Sequence, residues 1–87
     1  MNTFKLTVSS PDGHIFSGEC EKFDVRGVEG DLAVMAGHIP FVTSIVKAPC
    51  VIWLDDGEKI TATADGGLLT VGSNEVTLLS SSFEIDK

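Results

Sequence analysis

Eighty-seven residues with 13 acidic and six basic side chains carry a formal charge of −7 with His neutral. That balance excludes the clustered Lys and Arg needed to hold a phosphate backbone or an anionic lipid surface. The length allows one domain, whose core is thin because so short a chain buries only about 60–65% of its unfolded surface. An apolar content of 43% excludes disorder.

In chain order, Phe4, Leu6 and Val8 alternate with Lys5, Thr7 and Ser9, and Ser10-Pro11-Asp12-Gly13 then turns the chain. Ile15-Phe16 leads to a second turn at Ser17-Gly18, and Phe23 and Val25 alternate with Lys22, Asp24 and Arg26. Leu32 to Met35 is a short buried run after the Gly27 to Gly30 loop. The richest apolar stretch, Ile39 to Leu54, is broken by Thr43, Ser44, Lys47 and two prolines. No apolar run therefore approaches the roughly 20 residues of a membrane span. Within it, Val51 to Leu54 is apolar on both faces, as a central strand would be. Asp55-Asp56-Gly57 suits a hairpin turn, Ile60, Ala62 and Ala64 alternate, and Asp65-Gly66-Gly67 turns again. Leu68 to Val71 and Val76 to Leu79 flank Gly72-Ser73-Asn74. Phe83 and Ile85 alternate in a final extended segment, within a polar tail from Ser80 that is expected to be loosely ordered over 80–87.

Val, Ile and Thr supply 22 of the 87 residues, and no window shows a sustained helical repeat. Eight to ten short strands between Gly-rich turns predict an all-β sandwich or barrel in a single domain over 1–87. The first residues show no basic region followed by an apolar stretch, so no secretory signal is expected.

The chemistry-bearing residues are sparse. Cys20 and Cys50 lie thirty positions apart without metal-type histidine spacing, which predicts two reduced thiols, packed or half-exposed. His14 follows a Pro-Asp-Gly turn and reads as a solvated loop residue. His38, in Gly37-His38-Ile39-Pro40, either faces a partner or folds back on the sheet. Asp55-Asp56 and Glu19 with Glu21 read as solvated acids. Gly66-Gly67 lacks the Gly-Lys-Ser/Thr of a phosphate loop. No nucleophile and base are spaced as an active site, no metal set is apparent, and no cofactor is expected. The loop Gly27-Val28-Glu29-Gly30-Asp31, with two glycines, two acids and a valine, reads as a turn or as a contact surface on a rigid scaffold. A free-standing module for a small ligand or carbohydrate would need a concave aromatic surface, and the chain has one Trp and no Tyr.

Several of these segments recur together. Phe16-Ser17-Gly18, Glu21-Lys22, Gly27-x-Glu29-Gly30-Asp31-Leu32 and Gly37-His38-x-Pro40 resemble the epsilon subunit of F-type ATP synthases. So do Gly66-Gly67 before an apolar strand and Asn74-x-Val76-Thr77-x-Leu79, and the resemblance covers nearly the whole chain. It implies the family's N-terminal ten-stranded β-sandwich and a non-catalytic part of the rotor. The implied partners are the gamma subunit and the polar loops of the membrane c-ring. The resemblance also implies that Gly27, Val28, Glu29, Gly30 and Asp31 face the c-ring, and that Ser10, His38 and Thr43 lie near gamma. Asp31 stands where the family commonly has Glu, and Cys20 and Cys50 match no functional position. The implied location is peripheral on a bacterial or organellar membrane, on the cytoplasmic or matrix/stromal side. The 87 residues end where the family's C-terminal helical hairpin would begin, so the expectation is a chain that couples without inhibiting hydrolysis or binding ATP.

Overall fold

The computed structural model describes residues 3–11, 13–37, 39–73 and 75–86. They form ten strands: β1 (Phe4–Ser10), β2 (Gly13–Cys20), β3 (Lys22–Gly27), β4 (Gly30–Met35), β5 (Phe41–Ile45), β6 (Ala48–Trp53), β7 (Lys59–Ala64), β8 (Gly67–Val71), β9 (Glu75–Leu79) and β10 (Phe83–Ile85). The predicted all-β class holds, and position 14 falls inside β2 rather than in a loop.

Hydrogen bonding joins the strands in the order β10-β7-β6-β3-β5-β8-β9-β1-β2, with β4 on the other side of β3. β3 and β5 share the Gly27–Ile45 pair alone, so the sheet folds there into two leaves. One leaf is β10-β7-β6-β3-β4 and the other is β5-β8-β9-β1-β2. The neighbours are antiparallel except β1 and β9, which run parallel from Lys5–Glu75 to Ser9–Leu79.

Period-two patterning decides what lies between the leaves. Phe4, Leu6 and Val8 are buried in β1, Phe23 and Val25 in β3, Leu69 and Val71 in β8, and Val76 and Leu78 in β9. Burying each such side chain stabilises the fold by about 1.5–3 kcal/mol, and these facing rows supply most of the core. Ala62 and Ala64 are the small members of the core, and Phe83 pairs with Ala64 across β10 and β7.

Residues 80–86 pack on the sandwich, where a loosely ordered tail was expected over 80–87. Phe83 is 5% exposed and β10 pairs with β7. Ser80 is buried, with its Oγ 2.6 Å from the Gly66 carbonyl oxygen and 2.8 Å from that of Ser82. Ser81 Oγ donates to the Asp65 carbonyl, and the Asp65 N–H donates to Ser82. Three serines read as a solvated run locally, but here the Ser80 and Ser81 hydroxyls take carbonyls of the β7–β8 turn and Ser82 offers its own carbonyl to the Asp65 N–H.

Cys20 and Cys50 are both free and buried. Burial, reinforced by the nearby Glu19 carboxylate, pushes the Cys20 thiol up to about 11 against a backbone hydrogen bond from Lys22. Burial and the charge of Asp86 push Cys50 up to about 11. At pH 8 roughly one thiol in a thousand is then thiolate, and it is shielded. Iodoacetamide at pH 8 is expected to modify neither cysteine over an hour in buffer and both in 6 M guanidinium, read by mass shift. Modification of either within minutes in buffer would contradict this placement.

Candidate functional site

The Gly27–Asp31 motif is the turn of the β3–β4 hairpin. Gly27 pairs with Gly30, and Val28 and Glu29 form the two-residue connection. Gly30 takes φ 126°, a value that side-chain-bearing residues rarely adopt. Gly27 is required for a different reason: a Cβ there would meet Leu32 Cδ2 at 3.0 Å and the Ser44 carbonyl oxygen at 3.4 Å. The tip is anchored to the other leaf. The Val28 N–H donates to the Ser44 carbonyl at 3.0 Å, and the Val46 N–H donates to the Arg26 carbonyl at 3.1 Å. Val28 is 60% exposed. Glu29 is exposed and makes no hydrogen bond or ion pair among the described residues.

Asp31 lies in β4, opposite Arg26. Arg26 Nε donates to Asp31 Oδ1 at 2.7 Å, with a longer contact of 3.4 Å from Nη2 to Oδ2. The guanidinium hydrogen bond, then its charge, holds the Asp31 carboxyl below its ordinary range. The two acids of the motif therefore differ in kind: one is paired within the hairpin and one is open.

Ser10 and Thr43 are not brought together. Ser10 ends β1 opposite Gly13, whereas Thr43 is in β5 opposite Leu69. β8 and β9 lie between their strands, a lateral separation of about 14 Å. Both are half-buried. Thr43 shares the core-side register of Leu69, with its Oγ1 turned towards the Ser44 carbonyl. His38 lies outside the described residues.

The feature that sequence reasoning missed is the outer face of the β5-β8-β9-β1-β2 leaf. One row across it reads Val42, Thr70, Thr77, Thr7 and Ser17, and the next Ser44, Leu68, Leu79 and Ser9. Among the described side chains of this face, charge is confined to one end, where Glu75, Lys5 and Glu19 line up. Val42, Leu68 and Leu79 are 61%, 42% and 52% exposed. Strand phase was available as a signal for Leu68 and Leu79, which flank the buried Leu69 and Leu78, but not for Val42.

The opposite leaf carries Trp53 on its outer face. Its Nε1–H donates to Asp24 Oδ2 at 2.8 Å, and the ammonium groups of Lys59 and Lys22 lie 5.3 and 5.6 Å from the ring centroid. The indole is thus capped by two cations and is not presented to a ligand. A cleft of about 390 Å³ opens on this leaf where β3 departs from β6, lined by Asp24, Asp31, Ala33, Pro49 and Val51 among others, with no aromatic ring in its walls. A carbohydrate site has no platform here. Among the described residues no three His, Cys, Asp or Glu side chains converge as a metal set, and no helix is long and apolar enough to cross a membrane.

Comparison with known proteins gives a consistent result. Residues 3–86 match the family described as ATP synthase, Delta/Epsilon chain, beta-sandwich domain. The ATP synthase epsilon chain of Bacillus velezensis is 36% identical over 84 residues, covering 97% of this chain and 63% of that protein. A sodium ion specific ATP synthase epsilon chain from Acetobacterium woodii is 33% identical over 82 residues, covering 94% and 62%. The chain thus spans less than two thirds of these curated relatives. Among solved structures, a chain of the Euglena gracilis mitochondrial ATP synthase (OSCP/F1/c-ring) matches with TM-score 0.90 and 21% identity, over 95% of this chain and 53% of that one. A chain of the Tetrahymena thermophila mitochondrial ATP synthase (central stalk/c-ring) matches with TM-score 0.77 and 12% identity, over 94% and 66%. At such identities these two likenesses are of fold.

Proposed function

The chain belongs to the ATP synthase Delta/Epsilon chain family, as its β-sandwich domain, and from that premise we propose that it is a non-catalytic subunit of the central stalk that joins gamma to the c-ring. In this role it couples ion translocation to ATP synthesis. It sits peripherally at the membrane through the complex, on the cytoplasmic or matrix/stromal side.

The observation that carries the reading is the uncharged outer face of the β5-β8-β9-β1-β2 leaf. On a chain of net charge −7, a face with charge at one end only, and with Val42, Leu68 and Leu79 exposed on it, is built to be covered. This face is the gamma-docking surface; Ser10 lies at its margin, where β1 ends, and Thr43 stands on the core side of β5 between Val42 and Ser44. The Val28–Glu29 tip points away from the end of β3 and is the element offered to the c-ring loops. The two surfaces share one residue: the Ser44 backbone carbonyl holds the tip, while its side chain lies in the docking row. Load passing from one surface to the other crosses a single strand of a close-packed sandwich, which deforms little.

The test is affinity purification of the tagged chain from mildly solubilised membranes of its source cells. Gamma and the c-subunit are expected to co-purify in constant ratio to the tag. Recovery of the chain without gamma would refute the assignment.

A further inference from the structure

The two acids of the Gly27–Asp31 motif are chemically unequal. Arg26 and Asp31 face each other in the last registered pair before the Gly27–Gly30 closure. Their fork contact uses both carboxylate oxygens, at 2.7 and 3.4 Å. Glu29, two residues nearer the tip, has no partner among the described residues, and Val28 beside it is the most solvated apolar side chain of the hairpin. A two-residue connection is too short to set its own direction apart from the strands that flank it. Its orientation depends on the Ser44 and Arg26 backbone bonds on one side and on the cross-strand pair on the other.

We infer that Arg26 and Asp31 are positioning residues, an internal strut that sets the angle of the hairpin, and that Glu29 with Val28 is the pair that meets the partner. This rests on the reading that the tip docks. The strut acts by geometry. A fork-bound carboxylate biases the direction of both side chains and draws Arg26 away from Glu29. Removing Asp31 releases that cation beside the docking acid. The matching partner surface is then a single cationic group next to a small aliphatic contact, rather than a site for two acids.

Charge exchange separates the strut from direct contact. Asp31→Arg alone places two like charges opposite each other and is expected to weaken coupled ion pumping in reconstituted vesicles by about two- to fivefold, the range for an exposed pair. Adding Arg26→Asp restores the pair in reverse and is expected to return pumping to within about 1.5-fold of the parent. Asp31→Asn keeps an acceptor for Arg26 Nε and is expected to lose less than twofold. If the exchanged pair stays as low as Asp31→Arg, the Asp31 carboxylate itself meets the partner and the strut is refuted. A second arm needs no partner. In the 87-residue chain, the heteronuclear NOE at the Val28 and Glu29 amides is expected to fall in Asp31→Ala and to recover in the exchanged pair. Unchanged values in Asp31→Ala overturn the strut whatever the vesicles show. Failure of the docking reading looks different: Glu29→Lys would then leave pumping intact while the amide effects remain.

Discussion

Gly67→Ala is expected to be the most damaging single-atom-scale change in the chain, lowering the melting temperature by about 15–30 °C. Gly67 opens β8 at φ 137°, a region closed to residues with a side chain, which alone costs about 1–3 kcal/mol. The larger effect is steric. A Cβ at this position would overlap the Leu79 carbonyl oxygen and lie 2.9 Å from the Ser80 Cα, both backbone atoms that cannot swing aside. Relief requires β8 and β9 to part where Leu68 pairs with Leu79 and where Ser80 clasps the β7–β8 turn. A total loss of about 4 kcal/mol is a large share of the 5–10 kcal/mol typical of small domains. At 4–8 °C per kcal/mol for a domain of this size, the stated shift follows. Gly57→Ala is the control: its φ of 90° is also unfavourable, but nothing lies within 4 Å of the added atom. That variant is expected to lose about 1 kcal/mol. Equal melting temperatures for the two variants would show that β8 and β9 do not approach as described.

The second large effect concerns docking. Leu68→Lys combined with Leu79→Glu is expected to weaken association with gamma by more than about 100-fold, near 3 kcal/mol, while leaving the fold intact. The two positions are directly opposed in the β8–β9 ladder, so the introduced charges face each other and the net charge stays at −7. An opposite-charge pair across a solvated ladder is tolerated by the isolated sheet. On a covered face the same pair loses the burial of two leucines and must be stripped of water. Equilibrium sedimentation or calorimetry with purified gamma measures the change, and circular dichroism of the isolated variant checks the fold. Binding within threefold of the parent would remove this face from the interface.

The contrast between these two sites shows how far the one-dimensional reading reaches. Alternation at Phe4, Leu6 and Val8, and again at Ile60, Ala62 and Ala64, reports a buried and a solvated side for each strand, since successive side chains point to opposite faces. Turn residues at 10–13, 55–57 and 65–67 mark where strands end. The all-β class, a count of eight to ten strands and a loop at Gly27–Asp31 were therefore legible, as was the family resemblance carried by those motifs. β5 was not separable, because Phe41 to Ile45 lies in an apolar stretch with little alternation and its core-side Phe41 is 38% exposed.

Local periodicity by itself determined that this acidic chain is a small all-β sandwich or barrel of short strands. Tertiary structure alone decided which strands are neighbours and in which register. The parallel β1–β9 pairing places Thr7 and Ser9 beside Thr77 and Leu79, which joins the patterns of five strands into one face whose described charges sit at one end. The β3–β4 register puts Arg26 against Asp31 and leaves Glu29 open. The fold-back of Ser80 onto Gly66, 14 positions away, converts a tail that reads as solvated into a clasp. A side chain's face follows from its own strand, but its partner follows from chain segments that meet only when the core closes, so pairings of this kind leave no local trace.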